Sequence, residues 1–375
     1  MLHLREINCP AILTHPVHRI KGVSVPKGTN PFRLAAIDMD GTLLNDKHSV
    51  SDYTRRVLSQ LLARGVHVVF ATGRPFTDVY RIKRKLNIFA SMESIPTPGV
   101  QVVTPCVASP NMEMPKGDLI ANGHHRMECL VPRCFAITSN GACIYDETNH
   151  LVRECCIDPR ICHELYSMFI DDPEVNINVF RRLDNIKELG KSSSSLSDST
   201  EDESCEEWVS RYPSDLEAAI YHESHFTFRV VPHLERDFPT DHVNEIFFLC
   251  YNPAKTAPVE EAIIARMKEL QKELHLESTV RVAPSAQHCL DIVPANVSKA
   301  SALEFVVDQL GLTMEDCIAF GDGLNDVELL QSVGKAFIME NANPRLRNML
   351  PHLEVIGRNN DDAVAKKLSE IFQLD

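Results

Sequence analysis

Asp38 and Asp40, two carboxylates one residue apart, follow the apolar run Leu34-Ala35-Ala36-Ile37 and precede Gly41-Thr42. A short apolar run ending in acids at a glycine turn is how a buried parallel strand presents chemistry at its carboxyl edge. In an extended chain both side chains share a face, where like charges are costly unless a cation or a shared proton relieves them. A hard divalent ion is the simplest relief. Other polar groups stand at comparable places: Thr72-Gly73-Arg74 and Asn140-Gly141 after apolar runs, Lys299 at the start of an amphipathic stretch, and Asp322, Asn325 and Asp326 after Cys317-Ile318-Ala319-Phe320.

The elements needed to position these groups are readable from periodicity. Ser51 caps a helix with Val57, Leu58, Leu61 and Leu62 at helical spacing, and Gly65 stops it. Residues 66–71 read as a buried strand, and Pro75 as the first-turn residue of a helix whose inner face is Val79, Ile82 and Leu86. A strand over 134–138 leads to Ser139-Asn140-Gly141-Ala142. Ser298 caps a helix carrying Leu303, Phe305, Val306 and Leu310, which Gly311 ends. A strand over 317–320, a helix from 325, a strand over 336–339 and a closing helix over 361–372 follow. Strand alternating with helix is the rhythm of an α/β doubly wound parallel sheet. Between its two parts lie expected strands at 175–180, 226–231, 245–251 and 279–282, and helices at 159–170 and 257–274.

Asp38-x-Asp40-Gly41-Thr42 resembles the first motif of the haloacid dehalogenase (HAD) superfamily, whose members mostly transfer phosphoryl groups through an aspartyl-phosphate. Ala71-Thr72-Gly73-Arg74, Val297-Ser298-Lys299 and Gly321-Asp322-Gly323-Leu324-Asn325-Asp326 follow in the family's order. Together they match best the Cof-like branch (subfamily IIB), over roughly residues 32–90 and 133–375. The resemblance implies a Rossmann-like core of residues 32–142 and 285–375 with an inserted α/β cap at 143–284. It makes Asp38 the nucleophile and Asp40 the general acid and base. Mg2+ would be held by Asp38, Asp322 and the backbone carbonyl of Asp40, with Asn325 or Asp326 orienting the outer shell. Thr72 and Lys299 would hold phosphoryl oxygens, and Gly73 with the Gly41-Thr42 amides would complete the cradle. Asn140 is either a substrate contact or a turn asparagine before glycine. The activity implied is that of a magnesium-dependent phosphatase of a small phosphorylated metabolite, a sugar phosphate first, because the cap reads the leaving group in this branch. A phosphomutase or other phosphotransferase is the enzymatic alternative. A non-enzymatic interaction protein is the other, and intact Asp38, Asp40, Lys299 and Asp322 speak against it.

The chain's 375 residues are enough for two domains. Its net charge of -14 argues against a nucleic-acid surface, and no apolar run approaches the roughly 20 residues of a membrane span. Twelve irregularly spaced cysteines point to thiols in the cytoplasm rather than to a disulfide framework. Residues 1–31 read as a flexible extension. Arg5, Arg19, Lys21 and Lys27 against Glu6 make a mitochondrial presequence the alternative, which Pro10, Pro16 and Pro26 disfavour. Residues 91–132, punctuated by prolines, read as a long loop. His124, His125, Cys129 and Cys134 fit no standard zinc spacing. Residues 190–207, rich in serine and acids, read as a disordered insertion. Monomer and homodimer both stay open.

Overall fold

The computed structural model describes residues 30–86, 134–183, 206–212, 227–231, 233–286 and 288–374. Residues 1–29 of the expected extension, the loop at 91–132 and most of the insertion at 190–207 lie outside them, as do His124, His125 and Cys129.

The strands are β1 (Leu34–Ile37), β2 (His67–Ala71), β3 (Cys134–Thr138), β4 (Cys143–Tyr145), β5 (Leu151–Glu154), β6 (Val175–Arg182) and β7 (Glu206–Ser210). They continue with β8 (Thr227–Val230), β9 (Val243–Cys250), β10 (Val280–Ala286), β11 (Cys289–Pro294), β12 (Cys317–Gly321), β13 (Lys335–Met339) and β14 (Glu354–Ile356). The helices are α1 (Asp52–Ala63), α2 (Phe76–Leu86), α3 (Pro159–Met168), α4 (Leu234–Asp237), α5 (Thr256–Glu273), α6 (Lys299–Leu310), α7 (Val327–Ser332), α8 (Pro344–Met349) and α9 (Ala363–Phe372).

An eight-stranded sheet has the order β14-β13-β12-β1-β2-β3-β4-β5. Its first six strands are parallel, and β4 and β5 extend it as an antiparallel hairpin. β1, β2, β3 and β12 are buried along their whole length, which is why they read as continuous apolar runs rather than alternating ones. The expected caps form. Ser51 Oγ accepts from Thr54 N at 3.0 Å, and Gly311 ends α6 at φ 64°. Asp362, at the start of α9, accepts from Ser51 Oγ at 2.6 Å and Thr54 Oγ1 at 2.8 Å, so one carboxylate ties the starts of α1 and α9 together. Pro75 stands just before α2 rather than in its first turn.

A second, six-stranded sheet has the order β10-β11-β9-β6-β7-β8, antiparallel except for β7 with β8. Its buried cluster, with Ile161 and Leu165 of α3, Ile263 and Met267 of α5 and Ile246 and Phe248 of β9, shares no residue with the cluster of the first sheet. Each sheet therefore has its own core.

Sheet membership corrects the expected boundaries. β4 and β5, placed by the sequence in the cap, belong to the core sheet, and β10 and β11 keep the chain in the cap sheet until Pro294. Glu206 and Glu207, expected at the end of a disordered insertion, are buried residues of β7. The eight described cysteines are all free thiols, and among the described residues no helix is long and apolar enough to cross a membrane.

Candidate active site

β1 is where the strand order reverses, with β2 and β3 on one side and β12 on the other. That crevice, outside the carboxyl ends of the strands, is where open α/β sheets bind ligands. Asp38 and Asp40 follow β1, Thr72 follows β2, Asn140 follows β3, Asp322 follows β12, and Lys299 opens α6.

Asp38, only 5% exposed, is reached by the buried Lys299, whose Nζ donates to Asp38 Oδ1 at 2.6 Å and to Asp326 Oδ1 at 2.7 Å. The Ser298 capping box fixes the first turn of α6 and so aims Lys299 inward. Asp326 Oδ2 accepts from the backbone amides of Asp322 at 3.0 Å and Gly323 at 2.9 Å, so this side chain both shapes the loop and anchors the lysine. Thr42 Oγ1 donates to Asp322 Oδ1 at 3.0 Å. Gly41 adopts φ +73°, and a Cβ there would lie 2.3 Å from Asp322 Oδ2. Glycine is required twice over, by conformation and by the close approach of Asp322.

Burial pushes Asp38 well above the usual carboxylate range, and repulsion from Asp326 adds to it while Lys299 opposes. Burial and Asp326 likewise push Asp322 up to about 6. Burial alone would lower Lys299, but Asp326 and Asp38 more than reverse it. Three acids thus face one ammonium. Asp38, Asp322 and Asp326 bring ligand oxygens within 4.8 Å of one another, and this all-oxygen, charge-deficient set fits a hard divalent cation. Asp326 already serves the lysine and the loop amides, so Asp38 and Asp322 are the more available ligands.

Asp40 faces another way. Arg74 grips it with two prongs, Nε to Oδ2 and Nη2 to Oδ1, both at 2.6 Å, and His48 Nδ1 stands 3.3 Å away. Burial would raise this carboxyl, but Arg74 and His48 together hold it well below the usual range. Arg74 also pairs with buried Asp78 at 3.3 Å, so its place is within the core.

Thr72 is buried, its Oγ1 accepting from Arg74 N at 3.1 Å and its carbonyl accepting from Asn140 N at 3.0 Å. A Cβ at Gly73 would lie 3.2 Å from the Asn140 amide. Ser139, Asn140 and Gly141 all have positive φ, a sparsely populated backbone for the first two. Asn140 is thus a turn asparagine, and its side chain also serves the site. Its Nδ2 donates to Glu245 Oε1 at 2.9 Å and to Asp291 Oδ2 at 3.0 Å, and its Oδ1 accepts from Asn325 Nδ2 at 2.9 Å.

Sequence reasoning missed Glu245 and Asp291, and also Glu206. The Glu206 carboxylate accepts from Phe76 N at 3.0 Å and Thr77 N at 2.9 Å, which caps α2 from the other sheet. The available signal was an acid inside an apolar strand, as in Asn244-Glu245-Ile246-Phe247-Phe248 and Leu290-Asp291-Ile292.

The chain is similar to known proteins in both sequence and fold. A Buchnera aphidicola protein described as a candidate phosphatase is 27% identical over 341 residues, covering 91% of this chain and 98% of its own. A Serratia proteamaculans protein named HMP-PP phosphatase is 28% identical over 340 residues, covering 90% and 94%. Among solved structures, the HAD subclass IIB sugar phosphatase BT4131 has TM-score 0.60 at 15% identity, covering 92% of this chain and 100% of its own. A haloacid dehalogenase-like hydrolase from Bacteroides thetaiotaomicron also has TM-score 0.60, at 20% identity, covering 91% and 100%. The sequence matches the family pattern of haloacid dehalogenase-like hydrolases over residues 35–99 and 122–368, and the chain belongs to that family.

Proposed function

We propose that this hydrolase cleaves the phosphate monoester of a small metabolite through an aspartyl-phosphate on Asp38. The observation that carries the reading is the buried Asp38 carboxylate with Lys299 at 2.6 Å and the Asp322 carboxylate beside it, at the switch point of the core sheet. The relatives' printed names, phosphatases and HMP-PP phosphatase, support the reaction class.

A phosphate dianion repels an anionic nucleophile, so its charge must be offset as Asp38 approaches. Magnesium held by Asp38 and Asp322 would supply that offset. Lys299 adds a fixed positive charge and, with the Thr72 hydroxyl and the Gly41-Thr42 amides, holds the phosphoryl oxygens. An Asp38 carboxylate oxygen attacks phosphorus, the bond to the leaving oxygen breaks, and that oxygen takes a proton from Asp40. Water then attacks the phosphorus, gives a proton to Asp40, and breaks the bond to Asp38, releasing phosphate. Arg74 holds Asp40 ionised in the ligand-free arrangement, so Asp40 takes up its proton only once that grip loosens. Sugar phosphates are the substrate class we favour, and a reducing cytoplasm suits the free thiols.

The test is a panel of sugar phosphates, HMP-PP and p-nitrophenyl phosphate, with magnesium and with excess chelator. Turnover should require magnesium, and Asp38→Asn should lower it by more than about a thousandfold. Near-normal turnover by that variant would remove the covalent route.

A further inference from the structure

Glu245 and Asp291 lie on the cap sheet and are almost fully buried, at 3% and 7% exposure. Asp291 is in register with Phe247, and Glu245, two residues earlier on β9, shares that residue's face. Both acids meet the same partner, the Asn140 amide, which donates to Glu245 Oε1 and Asp291 Oδ2. This does not satisfy Glu245, whose Oε2 is buried with no hydrogen-bond partner among the described residues. Buried polar atoms without partners are rare in folded proteins and mark places where something is missing.

The position indicates what that is. Asn140 Oδ1 accepts from Asn325 Nδ2, Asn325 adjoins Asp326, and Asp326 shares Lys299 with the nucleophile Asp38. Gly73, beside Thr72, is the residue against which the Asn140 amide packs. The two acids therefore sit one layer of side chains above the phosphoryl site, on the cap side, and close enough for Lys299 to act on Glu245.

We propose that Glu245 and Asp291 form the acceptor pair that receives a hydroxyl or amino hydrogen of the substrate's leaving group, with the unpartnered Glu245 Oε2 as its contact. This rests on the phosphatase reading and narrows it. Leaving groups that carry hydrogen-bond donors, neutral or cationic, fit this place. Leaving groups with a carboxylate meet two buried acids and are disfavoured. Phe247, opposite Asp291 and two residues from Glu245 on the same face, is the apolar neighbour of both acids and would flank a sugar or heterocyclic ring.

The test compares kcat/KM of wild type, Glu245→Gln and Asp291→Asn with magnesium on four esters: glucose 6-phosphate, glucosamine 6-phosphate, 3-phosphoglycerate and p-nitrophenyl phosphate. Gln and Asn keep shape but replace an acceptor by a donor. The expected result is a loss on the better of the two sugar esters at least tenfold greater than the loss on p-nitrophenyl phosphate, with 3-phosphoglycerate gaining relative to both. Glucose 6-phosphate and glucosamine 6-phosphate differ only in the donor, so the more affected one tells whether the pair receives a hydroxyl or an amine. Equal losses on all four esters, with a lowered melting temperature, would show that the pair only joins the two sheets, and would overturn the proposal. A wild type that hydrolyses none of the four, nor the wider panel, would overturn the phosphatase reading itself, a failure visible before any variant is made.

Discussion

Asp40 and Glu245 are both carboxylates in the same crevice, yet their surroundings drive them in opposite directions, and pH separates them. Arg74 and His48 hold Asp40 low despite burial, so its pairing contributes stability above the ordinary carboxylate pKa and loses it as pH falls through the depressed value. Arg74→Met should accordingly melt below wild type at pH 7. The gap should narrow as the solution is acidified below about pH 4, where the unfolded carboxylate protonates and only the folded one still gains from staying charged. A gap that widened on acidification would contradict the ion pair. Glu245 is the reverse case: burial and then Asp291 push it well above the usual range, against the weaker pull of Asn140 and Lys299. Its favourable contribution is present below the unfolded pKa and is lost as pH rises through the raised one. Glu245→Gln should therefore gain on wild type in melting temperature between pH 5 and pH 8, and a constant difference would count against a strained acid. That Asp38, Asp40 and Asp322 gather at one edge of the core sheet was legible in the sequence, because each follows an apolar run at a turn. The Glu245–Asp291 pair was not, because its acids sit within strands that read as core, and only the fold shows that their face of the sheet meets Asn140.

At the scale of elements, the turns do as much positioning as the strands. Gly41→Ala would place a methyl group against Asp322 at a backbone angle that alanine avoids. Turnover should fall at least about tenfold and need more magnesium, while α1 and α9 stay intact by circular dichroism. Glu206 is the second case. Its carboxylate satisfies two amides at the start of α2, and Tyr145 Oη donates to it at 3.4 Å. Glu206→Ala should cost about 1–2 kcal/mol in urea unfolding, the upper end for a lost helix cap, because the amides it leaves are partly buried against another sheet. A change within error would mean that water replaces the carboxylate freely. Neither the strand β7 nor this contact was readable beforehand. Glu206 and Glu207 continue an acidic, serine-rich run, and composition assigned them to it, whereas in the fold Glu207 pairs with Arg181 at 2.8 Å and Arg229 at 2.9 Å. β4 and β5 were misplaced for a related reason: at three and four residues they are too short for periodicity to tell which sheet they join. The fully buried parallel strands β1, β2, β3 and β12 and the caps at Ser51, Ser298 and Gly311 were readable because local signals and the tertiary fold agree.

For the molecule as a whole, two sheets with separate buried clusters meet at one polar seam, where Asn140 reaches Glu245 and Asp291, and Glu206 reaches α2. On the proposed reading, phosphoryl chemistry would lie on one side of the seam and selection of the leaving group on the other. Replacing residues 157–294 by a short linker should spare p-nitrophenyl phosphate far more than the best metabolite, read as the ratio of kcat/KM values once circular dichroism shows the core folded. An unchanged ratio would put recognition in the core. Lys299 has a further effect at this scale. Because its ammonium already stands between Asp38 and Asp326, the acids at the centre keep a resident countercharge whether or not a metal ion is bound. On the proposed mechanism the fold should persist without metal, and a melting temperature that collapsed in excess chelator would contradict this. When free magnesium in a cell falls, catalysis would drop at once while the folded pool survives for immediate reuse, so the ion would govern how fast existing copies work and leave how many there are to synthesis and proteolysis.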